Sequence, residues 1–181
     1  WAPYVFVHEF GHHFAALADE YYTSPTAYAP APANRVEPWE PNATALLDPD
    51  NLKWKDLVTP GTPIPTPWKN EEFEKASRDY QAKRRAIRAA NGAEDQMDAL
   101  FQDELVFETK LLGQDRYSGK VGAFEGSLYE AKGYYRPQED CIMFTRDEVP
   151  FCAVCRRAIE GVIDLYAGRE AGARREAGSP R

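Results

Sequence analysis

Apolar residues recur at helical spacing near the start of the chain, and they predict one amphipathic helix over residues 3–22. Pro3 suits the first turn of such a helix. One face carries Val5, His8, Glu9, His12, Ala16 and Asp19, and a second, apolar face carries Phe6, Phe10, Phe14 and Leu17. Because apolar side chains cover much of its girth, we expect the helix to lie inside a domain rather than on its surface.

Three more helices are predicted further along the chain. Residues 70–112 carry apolar residues at helical spacing on both sides of Asn91-Gly92, which breaks the pattern. We interpret this stretch as a helical hairpin inserted in the domain. The pattern of residues 150–167 predicts a final helix, and the polar tail 169–181 is expected to fray.

The remaining stretches lack a helical pattern. Residues 23–69 hold most of the prolines and predict a long, mostly non-helical loop region that packs on the domain through its tryptophans. Residues 121–149 are rich in glycine and tyrosine, which indicates turns and short irregular structure. The predicted fold class is therefore mainly α with long irregular loops, with residues 1–168 forming one domain.

Length and composition narrow the functional classes. The 181 residues, 43% of them hydrophobic, suffice for one domain with a core. The net charge of −7 argues against a nucleic-acid partner, since phosphate neutralisation needs an excess of Lys and Arg. No apolar run reaches the roughly 18 residues of a membrane span. Asn42-Ala43-Thr44 matches the N-glycosylation pattern, which short tripeptides often do by chance.

All three histidines of the chain fall within six positions, and two of them form the pattern His8-Glu9-x-x-His12. Histidines at i and i+4 project from one helical face and can share one metal ion. The intervening Glu9 points to the adjacent side, where it can take a proton from a water on the metal. The pattern therefore predicts zinc ligands at His8 and His12 and a general base at Glu9. His13 lies off this face and is expected to be partly buried and hydrogen-bonded.

A catalytic zinc needs a third protein ligand, for which the sequence offers three candidates. We favour Asp19 over Glu125 and Glu20. On a straight helix Asp19 would lie roughly 10 Å beyond His12, at 1.5 Å per residue. For Asp19 to bind, the helix must therefore end near Ala15-Ala16 and the chain must turn back.

Three cysteines, Cys141, Cys152 and Cys155, lie in the last quarter of the chain. We favour a disulfide from Cys141 to one of the other two. Three buried thiols are the plain alternative. The Cys152-x-x-Cys155 spacing also fits a redox pair or half a zinc knuckle, but no second CxxC completes a knuckle.

The segment HEFGHHFAALADEYY resembles the active-site segment of the IgA-peptidase (igalysin) family of metzincin-type zinc peptidases. Further pieces resemble the family in the same order: LKWKDLVTPGTPIPTP, VGAFEG, YYRPQEDCIM and VPFCAVCRRAI. Together they cover well over half of the chain, and the charged hairpin at about 70–115 interrupts them. The resemblance implies the C-terminal portion of an α+β metzincin-like zinc peptidase domain. It also implies that the upper subdomain with its sheet lies outside this sequence.

The resemblance implies several further features. Zn²⁺ is the expected cofactor, and Met143 fits the methionine that this clan places in a tight turn under the metal. A secreted or cell-surface location is expected, which favours the disulfide at Cys141. Thr145 stands where the clan often has a tyrosine that assists the reaction, and Tyr134 or Tyr135 are candidates for that role.

The function predicted on these grounds is a zinc-dependent endopeptidase acting on a protein or peptide substrate. Two rivals stay open: a non-catalytic, metal-containing binding module, and an amide hydrolase acting on cell-wall peptides. The presence of Glu9 favours the enzyme, because a structural metal site has no use for a base.

Overall fold

A computed structural model describes residues 2–23, 35–146 and 149–169. Within these ranges the chain forms four α-helices, one two-stranded sheet and two short 3-10 helices, which confirms a mainly helical fold. The helices are α1 (Ala2–Ala15), α2 (Asn70–Ala89), α3 (Glu94–Gly113) and α4 (Ala153–Tyr166); the strands are β1 (Phe124–Ser127) and β2 (Glu130–Arg136); the 3-10 helices are Pro49–Asn51 and Lys55–Leu57. None of the described helices is long and apolar enough to cross a membrane. The predicted polar tail lies outside the described residues from 170 onward.

The helix predicted over residues 3–22 ends at Ala15, so its second half is not helical. Ala16 adopts a left-handed conformation with φ 54°, which turns the chain out of the helix axis. The Ala16 N–H still bonds the His12 carbonyl at 3.0 Å, and the Leu17 N–H reaches back to the Gly11 carbonyl at 3.3 Å. Leu17 then enters the core, 3% exposed, instead of continuing the helical face.

The burial predicted for the apolar face of α1 fails at Phe6 and Phe10, which are 74% and 40% exposed. Phe14 is half-buried against the core, and its ring stacks on Phe10 at a centroid distance of 4.7 Å. The opposite side of α1 packs against the core instead. A side chain at Gly11 would meet the Phe151 ring at 2.9 Å and the Met143 Sδ at 3.0 Å.

The core lies between α1, α4, the Pro-rich region and the segment after β2. Its most buried side chains include Trp54, Cys141, Met143, Val154 and Cys155. Trp54 comes from the Pro-rich region, and its indole N–H donates to the Gly122 carbonyl at 2.7 Å. The described part of that region therefore packs on the domain with little regular structure. Residues 24–34, also predicted as loop, lie outside the described residues.

α2 and α3 form the hairpin expected within residues 70–112. Asn91, with φ 50°, reverses the chain between them. Tyr80 donates to Asp103 at 3.0 Å, and Arg84 donates to Glu104 at 3.0 Å, so polar contacts join the two helices. Phe73 at the start of α2 attaches the hairpin to the core, with its ring 5.0 Å from that of Phe144.

A β-hairpin at 124–136 replaces part of the irregular structure predicted for residues 121–149, and the described residues on either side are irregular as predicted. β1 and β2 pair antiparallel through a two-residue turn at Leu128 and Tyr129, both of which have positive φ. That backbone is typical of tight hairpins, but Asn and Gly are its usual residues. Leucine and tyrosine at the turn gave no hairpin signal, which explains the wrong prediction.

The final helix begins three residues later than predicted. Cys152 is the N-cap of α4, and its sulfur accepts from the backbone N–H of Cys155. Pro150 and Phe151 precede the cap in non-helical backbone. α4 ends at Tyr166, close to the predicted end at residue 167.

Gly11→Ala is expected to lower the free energy of unfolding by about 1 kcal/mol or more. The added methyl group would press on Phe151 and Met143, and overpacking of about 1–3 kcal/mol outweighs the gain in helix propensity. Gly161→Ala is the matched control, because Gly161 lies in α4 with open space around its Cβ position. Urea unfolding of the purified protein should show a loss for the first variant and a small gain for the second. Equal stabilities would contradict the close packing of α1.

Candidate metal centre

Two imidazole nitrogens face each other on α1. His8 and His12 lie one helical turn apart, and their Nε2 atoms are 3.0 Å from each other. The rings meet nearly edge to face, with centroids 4.7 Å apart. His8 is 6% exposed, whereas His12 is half-buried, so the pair opens toward solvent on the side of His12.

The reversal after Ala15 returns Asp19 to this pair. Its Oδ1 lies 3.0 Å from His8 Nε2 and 3.1 Å from His12 Nε2. The ligand atoms of the three residues all lie within 4.8 Å of one another, which is the spacing of a group that can hold a metal ion. The structure thus brings together three residues that the sequence analysis singled out.

Backbone carbonyls fix the orientation of both rings. The Nδ1 of His8 lies 3.0 Å from the Ile142 carbonyl, and the Nδ1 of His12 lies 2.6 Å from the Leu17 carbonyl. A carbonyl oxygen only accepts, so each Nδ1 carries a proton and each Nε2 of a neutral ring turns a lone pair toward Asp19. Such outer hydrogen bonds are typical of histidines that bind metals.

The electrostatics of the group favour a positive charge between its atoms. The hydrogen bond with Asp19 raises the pKa of His12, against the opposing effect of burial. Burial by itself would raise the pKa of Asp19, but hydrogen bonds from Tyr129 and from the protonated forms of His12 and His8 hold it well below its usual range. A proton or a cation is therefore stabilised where the three acceptors converge.

Tyr129 is a residue of this site that the sequence analysis missed. Its hydroxyl donates to Asp19 Oδ2 and lies 3.0 Å from the Tyr21 hydroxyl. It projects from the strained turn of the β-hairpin, whose Leu128 N–H also donates to the Asp19 carbonyl at 3.0 Å. The hydroxyl of Tyr134, one of the two tyrosines considered, donates instead to the Val36 carbonyl at 3.4 Å.

Tyr135, the second tyrosine considered, pairs through its backbone with Thr44. Thr145 donates from its hydroxyl to Asp140 at 2.6 Å. Neither of these hydrogen bonds involves His8, His12 or Asp19.

Met143 lies beneath α1 in a tight turn. The turn is closed by the Phe144 N–H, which donates to the Cys141 carbonyl at 2.8 Å. Met143 is fully buried, and its sulfur approaches α1 at Gly11, between the two histidines in sequence. The same turn supplies the Ile142 carbonyl that orients His8.

Glu9 is exposed and lines a cleft of about 550 Å³ beside His8. The opposite wall of the cleft comes from the α2–α3 hairpin and includes Arg84, Phe101 and Glu104. His13, which was expected to be partly buried, is exposed, and its Nδ1 donates to the Glu9 carbonyl at 2.9 Å.

The two alternative carboxylates lie elsewhere. Glu125 accepts from Lys132 at 3.1 Å and from the Gly133 N–H at 3.0 Å, within the β-hairpin. Glu20 is fully buried and points away from the histidines toward the cysteines. Neither carboxylate joins the group of His8, His12 and Asp19.

Asn42 holds the loop that carries Asp19. Its side chain accepts from the Ala18 N–H at 2.7 Å and donates to the Ala18 carbonyl at 3.0 Å. It also donates to Glu20 Oε1 at 2.8 Å. Asn42 has no exposed surface, so the folded chain offers no glycan acceptor at this position.

The three cysteines are free thiols and buried, in contrast to the predicted disulfide. The sulfur atoms of Cys141 and Cys155 lie 3.9 Å apart. Together with Cys152 and Glu20 they form a second group whose ligand atoms all lie within 4.8 Å of one another. The sequence analysis brought the three cysteines together but did not anticipate Glu20, which lies 135 positions from Cys155 along the chain.

The chain belongs to the IgA peptidase M64 family, whose sequence model matches residues 1–163. Peptidases of this family are in general metallopeptidases, and their substrates are proteins or peptides. No curated protein matches the chain. The family match confirms the resemblance described in the sequence analysis. It also spans the α2–α3 hairpin, which separates the resembling segments along the chain.

Asn42→Ala is expected to lower the free energy of unfolding by about 2–5 kcal/mol. The change would leave the N–H of Ala18 and the carboxylate of Glu20 buried without their partner, at about 1–3 kcal/mol for each buried group. Asn51→Ala is the control, because Asn51 is exposed and surface changes stay within about 0.5 kcal/mol. Urea unfolding of both variants would measure the difference. If Asn42→Ala lowered the free energy of unfolding by less than about 1 kcal/mol, the role of Asn42 in holding the loop that carries Asp19 would be contradicted.

Proposed function

We propose that this chain carries the catalytic centre of a zinc-dependent endopeptidase, with His8, His12 and Asp19 as the zinc ligands. The observation that carries the proposal is the convergence of two oriented Nε2 atoms and one carboxylate oxygen at 3.0–3.1 Å. Three acceptors at this separation repel one another unless a positive charge lies between them.

The residues present fit zinc. A tetrahedral zinc with nitrogen and oxygen ligands at about 2.0–2.2 Å has ligand–ligand edges of about 3.3–3.6 Å, and the separations found here are about 0.2–0.6 Å shorter. Three protein ligands and one open position are the composition of catalytic zinc sites, whereas structural sites have four protein ligands. The half-buried His12 leaves the group open to solvent on one side.

A bound zinc ion supplies Lewis acidity, which polarises a peptide carbonyl and makes water a stronger acid. Glu9 follows the first histidine, is exposed and lines the cleft, so its carboxylate can accept a proton from water and return it to the leaving amine. Tyr129 holds Asp19 in position through Oδ2, which leaves Oδ1 for the metal. Ile142 and Leu17 hold the two imidazoles through their carbonyls.

The cleft of about 550 Å³ beside Glu9 has the size of a site for a drug-sized ligand or a short peptide segment. Its far wall is the α2–α3 hairpin, where Phe101 offers an apolar surface next to the Arg84–Glu104 ion pair. We therefore expect this hairpin to contact the substrate. The family description names an immunoglobulin, and a protein substrate outside the cell agrees with the proposed secreted or cell-surface location.

A metzincin-like fold is part of the same proposal. It is supported by the order of the parts: the helix with both histidines, the chain reversal, and then Met143 in a tight turn beneath that helix. In this interpretation Met143 forms the hydrophobic base of the metal centre.

Glu9→Gln in the full-length protein is expected to lower kcat/KM for peptide cleavage by about 100-fold or more while zinc content is unchanged, because only the proton acceptor is lost. His8→Ala should remove the zinc ion of the histidine centre and the activity. His13→Ala is the control and should keep both, since His13 is exposed and bonds only the Glu9 carbonyl in the structure. Cleavage of casein or a peptide library, with zinc measured by atomic absorption, gives the readouts.

Two outcomes of that experiment would contradict the proposal. Zinc without cleavage in the unaltered protein would favour the metal-containing binding module. Cleavage of cell-wall peptides with no cleavage of proteins would favour the amide hydrolase.

Tyr129→Phe is expected to weaken zinc binding by about 10–100-fold, because the hydroxyl that orients Asp19 is lost. Tyr134→Phe is the matched control: Tyr134 lies on β2 of the same hairpin, and its hydroxyl bonds only the Val36 carbonyl in the structure. Competition with a chromophoric chelator would measure both affinities. Equal affinities would contradict the supporting role of Tyr129.

A further inference from the structure

A second group of potential metal ligands lies in the core, separate from the histidines. Cys141, Cys152, Cys155 and Glu20 each direct one ligand atom to a common point, and these atoms all lie within 4.8 Å of one another. All four side chains are buried. The group therefore has the four protein ligands and the closure from solvent that mark a structural metal site.

Two separations within this group match the edges of a tetrahedron around zinc. Zinc–sulfur bonds of about 2.3 Å give sulfur–sulfur edges of about 3.8 Å, and sulfur–oxygen edges are about 3.6 Å. The Sγ atoms of Cys141 and Cys155 are 3.9 Å apart, and Cys155 Sγ is 3.4 Å from Glu20 Oε1.

Backbone N–H groups point at two of the sulfur atoms. Cys141 Sγ accepts from Met143 at 3.5 Å and from Cys152 at 3.3 Å. Cys152 Sγ accepts from the Cys155 N–H at 3.4 Å, and Cys152 caps the N-terminus of α4. N–H donors and a helix N-terminus favour the thiolate, which is the form of cysteine that binds metals. Against the effect of burial, the hydrogen bonds of Cys152 lower the pKa of its thiol, whereas burial raises the pKa of Cys141.

The carboxylate of Glu20 is fully buried beside the sulfur atoms and is only partly hydrogen-bonded. Its Oε1 accepts from Asn42 at 2.8 Å and lies 3.4 Å from Cys155 Sγ, whereas its Oε2 is buried and has no hydrogen-bond partner among the residues that the structure describes. A buried carboxylate with an unpartnered oxygen is costly, and a cation held by this carboxylate and the three sulfur atoms would offset that cost.

We propose that Cys141, Cys152, Cys155 and Glu20 bind a second zinc ion with a structural role. Thiolate-rich tetrahedral sites favour zinc among the common divalent metals. The ion would join three segments that are distant in sequence: the loop after α1, the turn before Met143 and the start of α4. Two of these segments also support the histidine centre, through Asp19 and the Ile142 carbonyl.

The test is the zinc content of the full-length protein and of a His8→Ala, His12→Ala double variant, both purified without chelators. The unaltered protein is expected to hold two zinc ions per chain, and the double variant one. X-ray absorption at the zinc edge of the double variant should show three sulfur neighbours at about 2.3 Å. A mercurial reagent that blocks thiols should release this remaining zinc.

Variants at the second site complete the test. Cys152→Ser with Cys155→Ser should lower the zinc content of the unaltered protein by one ion, or abolish soluble protein. Glu139→Gln is the control, because it alters another fully buried carboxylate that lies outside the group and should keep both ions. If the double histidine variant fails to fold, X-ray absorption of the unaltered protein decides, since only the second site supplies sulfur.

Three results would overturn the proposal: no zinc in a folded double histidine variant, a zinc shell without sulfur, or a Cys141 disulfide found by mass spectrometry. None of these measurements depends on catalysis. Failure of this proposal is therefore distinguishable from failure of the proposed peptidase mechanism, which is tested through Glu9.

Discussion

The left-handed turn at Ala16 is the constraint on which the site depends. On a continuous helix Asp19 would lie far from His12, but the turn sends the chain back along α1 and brings Oδ1 to within about 3 Å of both histidines. Alanine is a poor residue for this backbone, at about 1–2 kcal/mol. The surrounding contacts, with Leu17 in the core and Ala18 held by Asn42, fix the turn.

Two neighbouring residues of the loop after α1, Asp19 and Glu20, point to opposite sides of that loop. Asp19 faces the histidines, and Glu20 faces the cysteines. The segment 141–143 has the same double role: Cys141 belongs to the buried group, Ile142 orients His8 and Met143 packs under α1. The Glu20 N–H donates to the Met143 carbonyl at 2.8 Å and joins the two segments directly. A displacement of either segment would therefore change the geometry of both the histidine group and the cysteine group.

Short-range patterns were sufficient to predict the helices and the histidine pair, because helical periodicity and the i, i+4 spacing are local. The approach of Asp19 was predicted only as a condition on where α1 must end. The contributions of Tyr129, Asn42 and Glu20 were not predictable, since each depends on contacts between residues more than 20 positions apart. The exposure of Phe6 and Phe10 on α1 was not predicted, because an apolar pattern indicates a buried face but does not show which other element would cover it.

The complete burial of Asn42 has a consequence for how the protein can be produced. Its side chain fills a closed pocket between Ala18 and Glu20, yet Asn42-Ala43-Thr44 reads as an acceptor for oligosaccharyltransferase. That enzyme acts on the chain before folding. A eukaryotic secretory host that attached a sugar there would block the closure of the loop, whereas a bacterial host that lacks the modification would leave the asparagine free to enter its pocket.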